Sequence, residues 1–145
     1  MLYSRGSLLP FFNEIGGDNT KSFFTVTDKR MTRFFMTIDE SVELIRKAID
    51  IAESGDTIVS KMHSYSIDKI AQYFSEKYHK PIVYTGLRPG EKLHESLINI
   101  TESSRTIEMD DMFIIKPCYK NIRGNMVEEE YDSNLINYNI NEILN

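Results

Sequence analysis

Apolar residues recur at helical spacing in two stretches of the chain. The first stretch begins at Thr37-Ile38-Asp39-Glu40, ends at Ser54-Gly55, and places four apolar residues on one face: Val42, Ile45, Ile49 and Ala52. The second opens at Ser66–Lys69 and stops at Lys80-Pro81, with Ile70, Ala71, Phe74 and Tyr78 as its apolar positions. Each pattern predicts an amphipathic helix.

Short runs of β-branched and aromatic residues predict the strands. They are Ser22–Thr27, Arg33–Thr37, Asp56–Ser60 and Ile82–Thr85, with Thr106–Glu108 and Met112–Lys116 as a further pair. We expect Asp56–Ser60 to be a buried strand because it is compact and rich in β-branched residues. Strands that alternate with helices favour an α/β arrangement over a bundle or a sandwich.

The two ends of the chain are less regular. Met1–Phe12 is apolar apart from Ser4–Ser7, as in a strand that has been cut and keeps only its exit loop. Asn121–Asn145 is rich in Asn, Glu and Ile, and we expect a tail that wraps the body, with a short final helix near Asn139–Leu144. The predicted organisation is one α/β region over 1–118 and a tail over 119–145.

Composition narrows the classes of function. The chain has 145 residues, 41% of them hydrophobic, and a net charge of −5, which argues against non-specific binding to nucleic acid. No run approaches the roughly 20 apolar residues of a membrane span, and no export signal is seen. Cys118 is the only cysteine, so we expect an idle thiol, no disulfide and no metal site. A cytoplasmic protein is predicted.

Two segments with arginines supply the candidate chemistry. Arg88-Pro89-Gly90 predicts a turn, because proline presets φ and glycine permits left-handed geometry, and we expect it to open into a helix over Glu91–Leu97. The other segment, DKRMTRFF, spans Asp28–Phe35. Guanidinium groups held on a fixed backbone bind phosphate oxygens well. We therefore expect the two segments to hold a ligand that contains a diphosphate, such as a nucleotide sugar.

Other motifs are absent or ambiguous. No glycine-rich loop joins a strand to a helix, so neither a dinucleotide site nor a P-loop is predicted. Tyr65 and Lys69 have the Tyr-x-x-x-Lys spacing, but Tyr65 precedes the helix and the spacing is attributed to chance. His94 could form an acid–base pair with Glu91 or Glu95, or could be an ordinary polar residue on a surface.

Five strings, in this order and at these separations, resemble the extended short-chain dehydrogenase/reductase enzymes that act on nucleotide sugars. They are SRGSLLPFF (4–12), TDKRMTRFF (27–35), GLRPGEKLHESLI (86–98), MFIIKP (112–117) and EYDSNLINYNINEI (130–143). Within that group the chain is most similar to the inverting UDP-N-acetylglucosamine 4,6-dehydratases of polysaccharide biosynthesis. The resemblance implies the C-terminal, substrate-binding portion of such an enzyme, without most of the Rossmann domain.

By the same resemblance, the cofactor loop and the catalytic Tyr-x-x-x-Lys pair lie upstream of Met1. The family uses NADP to oxidise the sugar at C4, eliminates water across C5 and C6, and returns the hydride to C6. We therefore expect no catalytic, cofactor-binding or metal-binding residue in this chain, and no activity of the chain alone. The implied ligand is a UDP-sugar.

The resemblance also implies which residues hold that ligand. A loop along the nucleotide contains Gly6, Ser7, Leu8, Leu9 and Phe12. Thr27 and Arg33 match positions near the uridine and the diphosphate, and Arg88 matches the main phosphate clamp. Glu91 could orient Arg88 or accept from a ribose hydroxyl, and Ser133 and Asn134 in the tail are further contributors. Simpler roles exist. Arg33 could pair with Asp28 or Asp39, Arg88 could pair with Glu91, and Phe11, Phe12, Phe34 and Phe35 could be core or could stack on a base.

Three interpretations remain open at this stage. The chain could be the sugar-nucleotide-binding half of a dehydratase that needs a separate N-terminal Rossmann chain, a remnant of an interrupted gene, or a UDP-sugar-binding module without chemistry. We expect exposed apolar surface on the first segment and on the helix Ile38–Ala52, through which the chain could also self-associate.

Overall fold

The computed structural model describes residues 7–122 and 126–134. Within them the helices are α1 (Leu8–Gly17), α2 (Ile38–Ile51), α3 (Ile67–Tyr78) and α4 (Ile100–Ser103). The strands are β1 (Phe24–Val26), β2 (Thr32–Phe35), β3 (Thr57–Ser60), β4 (His63–Ser66), β5 (Ile82–Tyr84), β6 (Ser96–Ile98), β7 (Thr106–Glu108), β8 (Met112–Ile115) and β9 (Tyr131–Asp132). They form two compact units, each made of separate stretches of chain.

Unit 1 comprises the described residues within Met1–Thr37, His63–Glu95 and Ser133–Asn145. Its core is aromatic: Phe12, Phe24 and Phe74 are almost fully buried, and the Phe12 ring centroid lies 5.5 Å from each of the other two. These side chains join α1 and α3 to the parallel strand pair β1–β5. Strands β2 and β4 form a separate antiparallel pair in this unit, and the rings of Phe35 and Tyr65 pack edge to face.

Unit 2 comprises Ile38–Met62 and Ser96–Asp132. Its sheet is antiparallel with the order β3-β8-β7, and every residue of β8 is buried. Burial alone raises the pKa of the Asp56 carboxyl, but the Lys116 ammonium, 2.8 Å away, and the Glu53 N–H outweigh this effect, so the pKa lies below its usual value. That ion pair fastens the turn after α2 to the end of β8.

Several predicted elements are confirmed with small shifts at their ends. The predicted helices appear as α2 and α3, and Thr106–Glu108 pairs with the strand Met112–Ile115 as expected. Mixed helices and strands are therefore observed, although three of the four small sheets among the described residues are antiparallel. The predicted final helix near Asn139–Leu144 lies outside the described residues.

Other expectations were wrong. Strand β3 is half-buried to exposed instead of buried, because only one of its edges is covered by a neighbouring strand. The segment Glu91–Leu97 is irregular before β6, so the predicted helix there does not form. The helices α1 and α4 and the strands β4, β6 and β9 were not predicted. No helix in the described part of the chain is long and apolar enough to cross a membrane.

Candidate functional site

The two arginine-bearing segments meet at the carboxyl ends of the parallel strands β1 and β5. The Thr85 N–H donates to the Val26 carbonyl, and the Gly86 N–H donates to the Thr27 carbonyl, each over 3.0 Å. Gly86 has a φ of +81°, which favours glycine at this turn away from β5. Ligands of parallel sheets commonly bind beyond the carboxyl ends of the strands. The fold thus brings together two motifs that are about 60 residues apart in sequence.

The Arg88–Glu91 segment forms the predicted turn. The Glu91 N–H donates to the Arg88 carbonyl over 3.0 Å, and Gly90 has a φ of +84°, as in a type II turn with proline at its second position. The Glu91 carboxylate accepts from the Arg88 N–H and from the Thr27 hydroxyl, each at 3.2 Å. Glu91 therefore binds the turn backbone to Thr27, instead of forming the alternative ion pair with the Arg88 guanidinium.

Arg33 holds the same segment from the other side. Its guanidinium donates to the carbonyls of Thr32 (2.7 Å), Leu93 (3.1 Å) and Lys92 (3.0 Å). Its Nε also lies 3.6 Å from the Glu95 carboxylate. Because the Lys92 and Leu93 carbonyls are engaged in this way, they are not available to a regular helix. Arg33 is consequently a positioning residue for the turn that carries Arg88.

The alternative pairing of Arg33 with Asp28 or Asp39 is wrong. Asp28 is instead paired with Arg30, whose Nη2 lies 2.9 Å from the carboxylate. The hydrogen bonds that Arg30 donates from its side chain and backbone lower the pKa of Asp28 to about 2. Asp28 and Arg30 are therefore paired with each other by an ion pair and hydrogen bonds within one turn.

Replacing Arg33 with lysine should loosen the turn without removing the positive charge. Lysine cannot place a planar fork of donors on three carbonyls, so we expect the free energy of unfolding to fall by about 1 kcal/mol. Amide hydrogen exchange should become faster at Leu93 and His94, and urea denaturation should report the loss in stability. Arg30→Lys is the control, because its partner is local; equal effects of the two variants would contradict this role for Arg33.

A cavity of about 430 Å³ lies in unit 1 beside these segments. Six of the predicted site residues line it: Ser7, Leu8, Phe12, Thr27, Arg33 and Glu91. Most of the remaining wall is apolar, including the half-exposed Phe11 and the side chains of Phe34 and Phe35. An apolar pocket with a few convergent polar groups has the usual character of a small-molecule site.

The beginning of α1 forms one end of this cavity. Ser7 occupies the N-cap position without making a side-chain cap, and Leu8 and Leu9 are the first helical residues. The first N–H groups of a helix have no intrahelical acceptors, so these amides and the helix dipole favour an anion here. Leu9 has its side chain in the aromatic core, so only its backbone can serve a ligand.

The other predicted residues lie elsewhere. Arg88 is exposed on the turn and does not line the cavity, and Asn134 is exposed next to the buried Ser133. Gly6 is outside the described residues. Sequence reasoning missed Lys29, whose ammonium lies 4.7 Å above the Tyr84 ring in a second cleft that also contains Thr27 and Gly86. Lys29 directly follows Thr27 and Asp28 in the string TDKRMTRFF, and this position could have indicated it.

A buried network of hydroxyl groups lies behind the site. Thr32 Oγ1 is 2.7 Å from both His94 Nδ1 and Ser133 Oγ. Ser133 Oγ accepts from the Glu95 N–H at 2.9 Å and donates to the Thr32 carbonyl at 3.2 Å. Since each hydroxyl has one proton, all four contacts can form together only if His94 carries a proton on Nδ1. His94 therefore belongs to a structural network through Thr32, and Ser133 joins that network directly after β9.

The described residues do not form a cradle for a dinucleotide cofactor. Such a cradle needs a strand, a glycine-rich turn and then the N-terminus of a helix. The turn after β1 leads to the strand β2, and the turn after β5 leads to an irregular segment and β6. The NADP that the resemblance implies therefore has no fitting site in the described part of the chain.

Comparisons with known proteins place the chain in a family. The family model for polysaccharide biosynthesis proteins matches residues 1–117. The inverting UDP-N-acetylglucosamine 4,6-dehydratase of Campylobacter jejuni is 31% identical over 129 residues, covering 89% of this chain and 36% of that protein. The UDP-glucose 4-epimerase of Rickettsia rickettsii is 31% identical over 118 residues, covering 79% of this chain and 34% of that protein.

A solved structure agrees with these sequence matches. The X-ray structure of Pen from Bacillus thuringiensis has a TM-score of 0.80 and 33% identity to this chain, covering 97% of this chain and 43% of that one. The predicted fold class, part of an extended short-chain dehydrogenase/reductase, is confirmed by this likeness. The chain spans about a third of the length of the curated relatives it matches. The predicted resemblance is confirmed, and the chain belongs to the polysaccharide biosynthesis protein family.

Proposed function

We propose that the chain is the substrate-binding portion of a UDP-N-acetylglucosamine 4,6-dehydratase-like enzyme of polysaccharide biosynthesis. The observation that carries this proposal is the cavity in unit 1, because it gathers six of the residues that the family resemblance implies for the ligand. They come from three separate segments, around residues 7–12, 27–33 and 91. If these residues were only ordinary surface residues, they would not be expected to meet at one cavity.

The cavity suits the parts of a sugar nucleotide. Its apolar and aromatic wall, with Phe11 and Phe34, can cover a base or a sugar ring. The amides of Leu8 and Leu9 in the first turn of α1, where a helix offers no intrahelical acceptors, and the exposed guanidinium of Arg88 can hold the diphosphate. Glu91 keeps a carboxylate at the cavity wall that can accept from a hydroxyl of the ligand. These residues bind and orient the ligand, and none of them carries out the chemistry.

In this proposal the chemistry needs a cofactor-binding portion, which the described residues do not provide. NADP, when bound by the rest of such an enzyme, supplies the hydride chemistry at the sugar. The residues described here contribute the binding and the orientation of the substrate. The 145 residues by themselves are therefore expected to bind a UDP-sugar without turning it over.

The Rickettsia relatives named UDP-glucose 4-epimerase favour a second candidate. In that case the same cavity takes UDP-glucose, and the enzyme inverts one hydroxyl without eliminating water. The nucleotide portion of the ligand is the same in both candidates. Affinity for the two sugar nucleotides therefore discriminates between them.

Calorimetric titration of the purified chain tests the proposal. We expect UDP-N-acetylglucosamine to bind more tightly than UDP-glucose, and NADP to give no binding heat. Arg88→Ala should weaken binding about tenfold or more, because a charge-assisted phosphate contact contributes roughly 1.5–3 kcal/mol. Arg46→Ala, which removes an exposed guanidinium from unit 2, is the matched control. A folded chain that binds neither sugar nucleotide, or equal losses in the two variants, would contradict the proposal.

A further inference from the structure

Unit 1 contains a second cleft, with a volume of about 500 Å³, that shares Thr27 with the cavity described above. The remaining wall of the cleft consists of Asp28, Lys29, Arg30, Tyr84 and Gly86. These residues follow the carboxyl ends of β1 and β5 or, in the case of Tyr84, end the strand. The second cleft therefore lies where both arginine-bearing segments begin.

The charges along the second cleft do not cancel. Asp28 and Arg30 are paired with each other, with 2.9 Å between the carboxylate and Nη2. Lys29 forms no ion pair with a carboxylate in the part of the chain that the structure describes. One carboxylate and two cations thus leave one net positive charge in the cleft, although the whole chain has a net charge of −5. A concave surface with an uncompensated cation attracts anions.

Tyr84 determines where that ammonium lies. Lys29 Nζ is 4.7 Å from the centroid of the Tyr84 ring. The ring is itself held in place, because its hydroxyl donates to Asp68 Oδ1 over 2.6 Å and the Gln72 amide donates to the other oxygen of that carboxylate over 2.7 Å. An ammonium has three N–H donors, so a contact with an aromatic face leaves donors for an acceptor in the cleft. Holding the side chain in advance lowers the entropy cost of binding a ligand.

The position of Arg88 indicates where the phosphates of a ligand lie. Its guanidinium is the main phosphate clamp in the proposed function, but it does not line the mostly apolar cavity. A sugar nucleotide whose base lies in that cavity therefore has to extend beyond it to reach Arg88. The chain arrives at Arg88 two residues after Gly86, which lines the second cleft. The second cleft thus adjoins the path of the diphosphate, which carries the negative charge of the ligand.

We propose that Lys29 is a further phosphate-binding residue, and that the second cleft holds one phosphate group of the sugar nucleotide. The ammonium donates to a phosphate oxygen while it remains above the Tyr84 ring, and Thr27 lies between the base and that phosphate. This inference rests on the proposed function, because the anion is identified as part of a sugar nucleotide. It adds a cation from the first arginine-bearing segment to the one that Arg88 supplies from the second.

Calorimetric titration with UDP tests the role of Lys29. Lys29→Met keeps an unbranched side chain but removes the ammonium, so the dissociation constant for UDP should rise about fivefold or more. The affinity of Lys29→Met should also depend less on salt concentration than that of the unchanged chain, because one ionic contact is lost. Lys29→Arg keeps a cation that can lie on the ring and should bind UDP within about twofold of the unchanged chain.

Matched controls separate binding from folding. Lys21→Met removes an exposed ammonium elsewhere in unit 1 that lines neither the cavity nor the second cleft, and it should bind UDP like the unchanged chain. Tyr84→Phe retains the ring and should keep the affinity, whereas Tyr84→Leu removes the ring and should weaken UDP binding. Circular dichroism should show the same melting for Lys29→Met and Lys21→Met.

The outcomes distinguish this inference from the proposed function. Equal UDP affinities of Lys29→Met and Lys21→Met, in a chain that binds UDP-N-acetylglucosamine, would overturn the role of Lys29 and leave the proposed function intact. A loss of affinity in Lys29→Met without a weaker salt dependence would show a structural role and would also overturn it. A folded, unchanged chain that binds neither UDP nor UDP-N-acetylglucosamine would overturn both.

Discussion

Replacing Phe12 with alanine should lower the free energy of unfolding by about 3–5 kcal/mol. The side chain is 1% exposed and contacts both Phe24, nearly perpendicular at 82°, and Phe74. Alanine removes the centre of this aromatic cluster and leaves a cavity that the helices α1 and α3 cannot readily fill. Domains of this size have a total stability of about 5–15 kcal/mol, so the expected loss is a large fraction of it.

Urea denaturation of the purified chain measures this loss. Phe11→Ala is the matched control, because it makes the same change at the adjacent residue, whose side chain is 46% exposed and lines the cavity. We expect Phe11→Ala to change the stability little and to weaken the binding of UDP-N-acetylglucosamine. Similar stability losses for Phe11 and Phe12 would show that α1 does not separate a core face from a ligand face.

Replacing Thr32 with valine should cost about 1–3 kcal/mol of stability, the range for leaving buried polar partners unsatisfied. Valine keeps the branched shape that suits β2 but removes the hydroxyl that joins His94 to Ser133. Ser133 is fully buried, and its N–H donates to the Glu95 carbonyl over 2.8 Å. The loss therefore reaches the hydrogen bonds between Glu95 and Ser133.

Hydrogen exchange at the Glu95 and Ser133 amides is the appropriate readout, together with the denaturation midpoint. Both amides should exchange faster in Thr32→Val. Thr32→Ser retains the hydroxyl and should keep slow exchange at both amides, although it loses a methyl group. If Thr32→Ser and Thr32→Val have the same effect on exchange, the hydroxyl network does not stabilise the hydrogen bonds between Glu95 and Ser133.

The two periodic helices were predictable because their apolar residues follow the helical period, although only α3 buries its apolar face and that of α2 is exposed. The apolar spacing that indicated α2 and α3 is retained in the fold, and the Ser66 cap of α3 is observed, with its side chain accepting from the Lys69 N–H. Helix α1 was missed because Leu8-Leu9-Pro10-Phe11-Phe12 has no polar alternation, and the segment was interpreted as the exit loop of a cut strand. Proline is compatible with the first turn of a helix, where an N–H is not needed.

The meeting of the two arginine-bearing segments was predictable, but their contacts were not. The motifs indicated the segments of Thr27, Arg33 and Glu91, which the fold does bring together. They could not show that Arg33 would use its donors on the carbonyls of Lys92 and Leu93, because those carbonyls are free only when the expected helix fails to form. Local propensity favoured that helix, and tertiary hydrogen bonds overrode it.

The chain passes between its two units four times, so neither unit is built from one continuous stretch of sequence. Thr32 and Ser133 are hydrogen-bonded although they are 101 residues apart. During synthesis on a ribosome, Thr32 and His94 therefore have no partner at Ser133 until 101 further residues have followed Thr32. Closure of unit 1 consequently waits for Ser133, and a nascent chain that stops before this residue leaves the hydroxyl network incomplete.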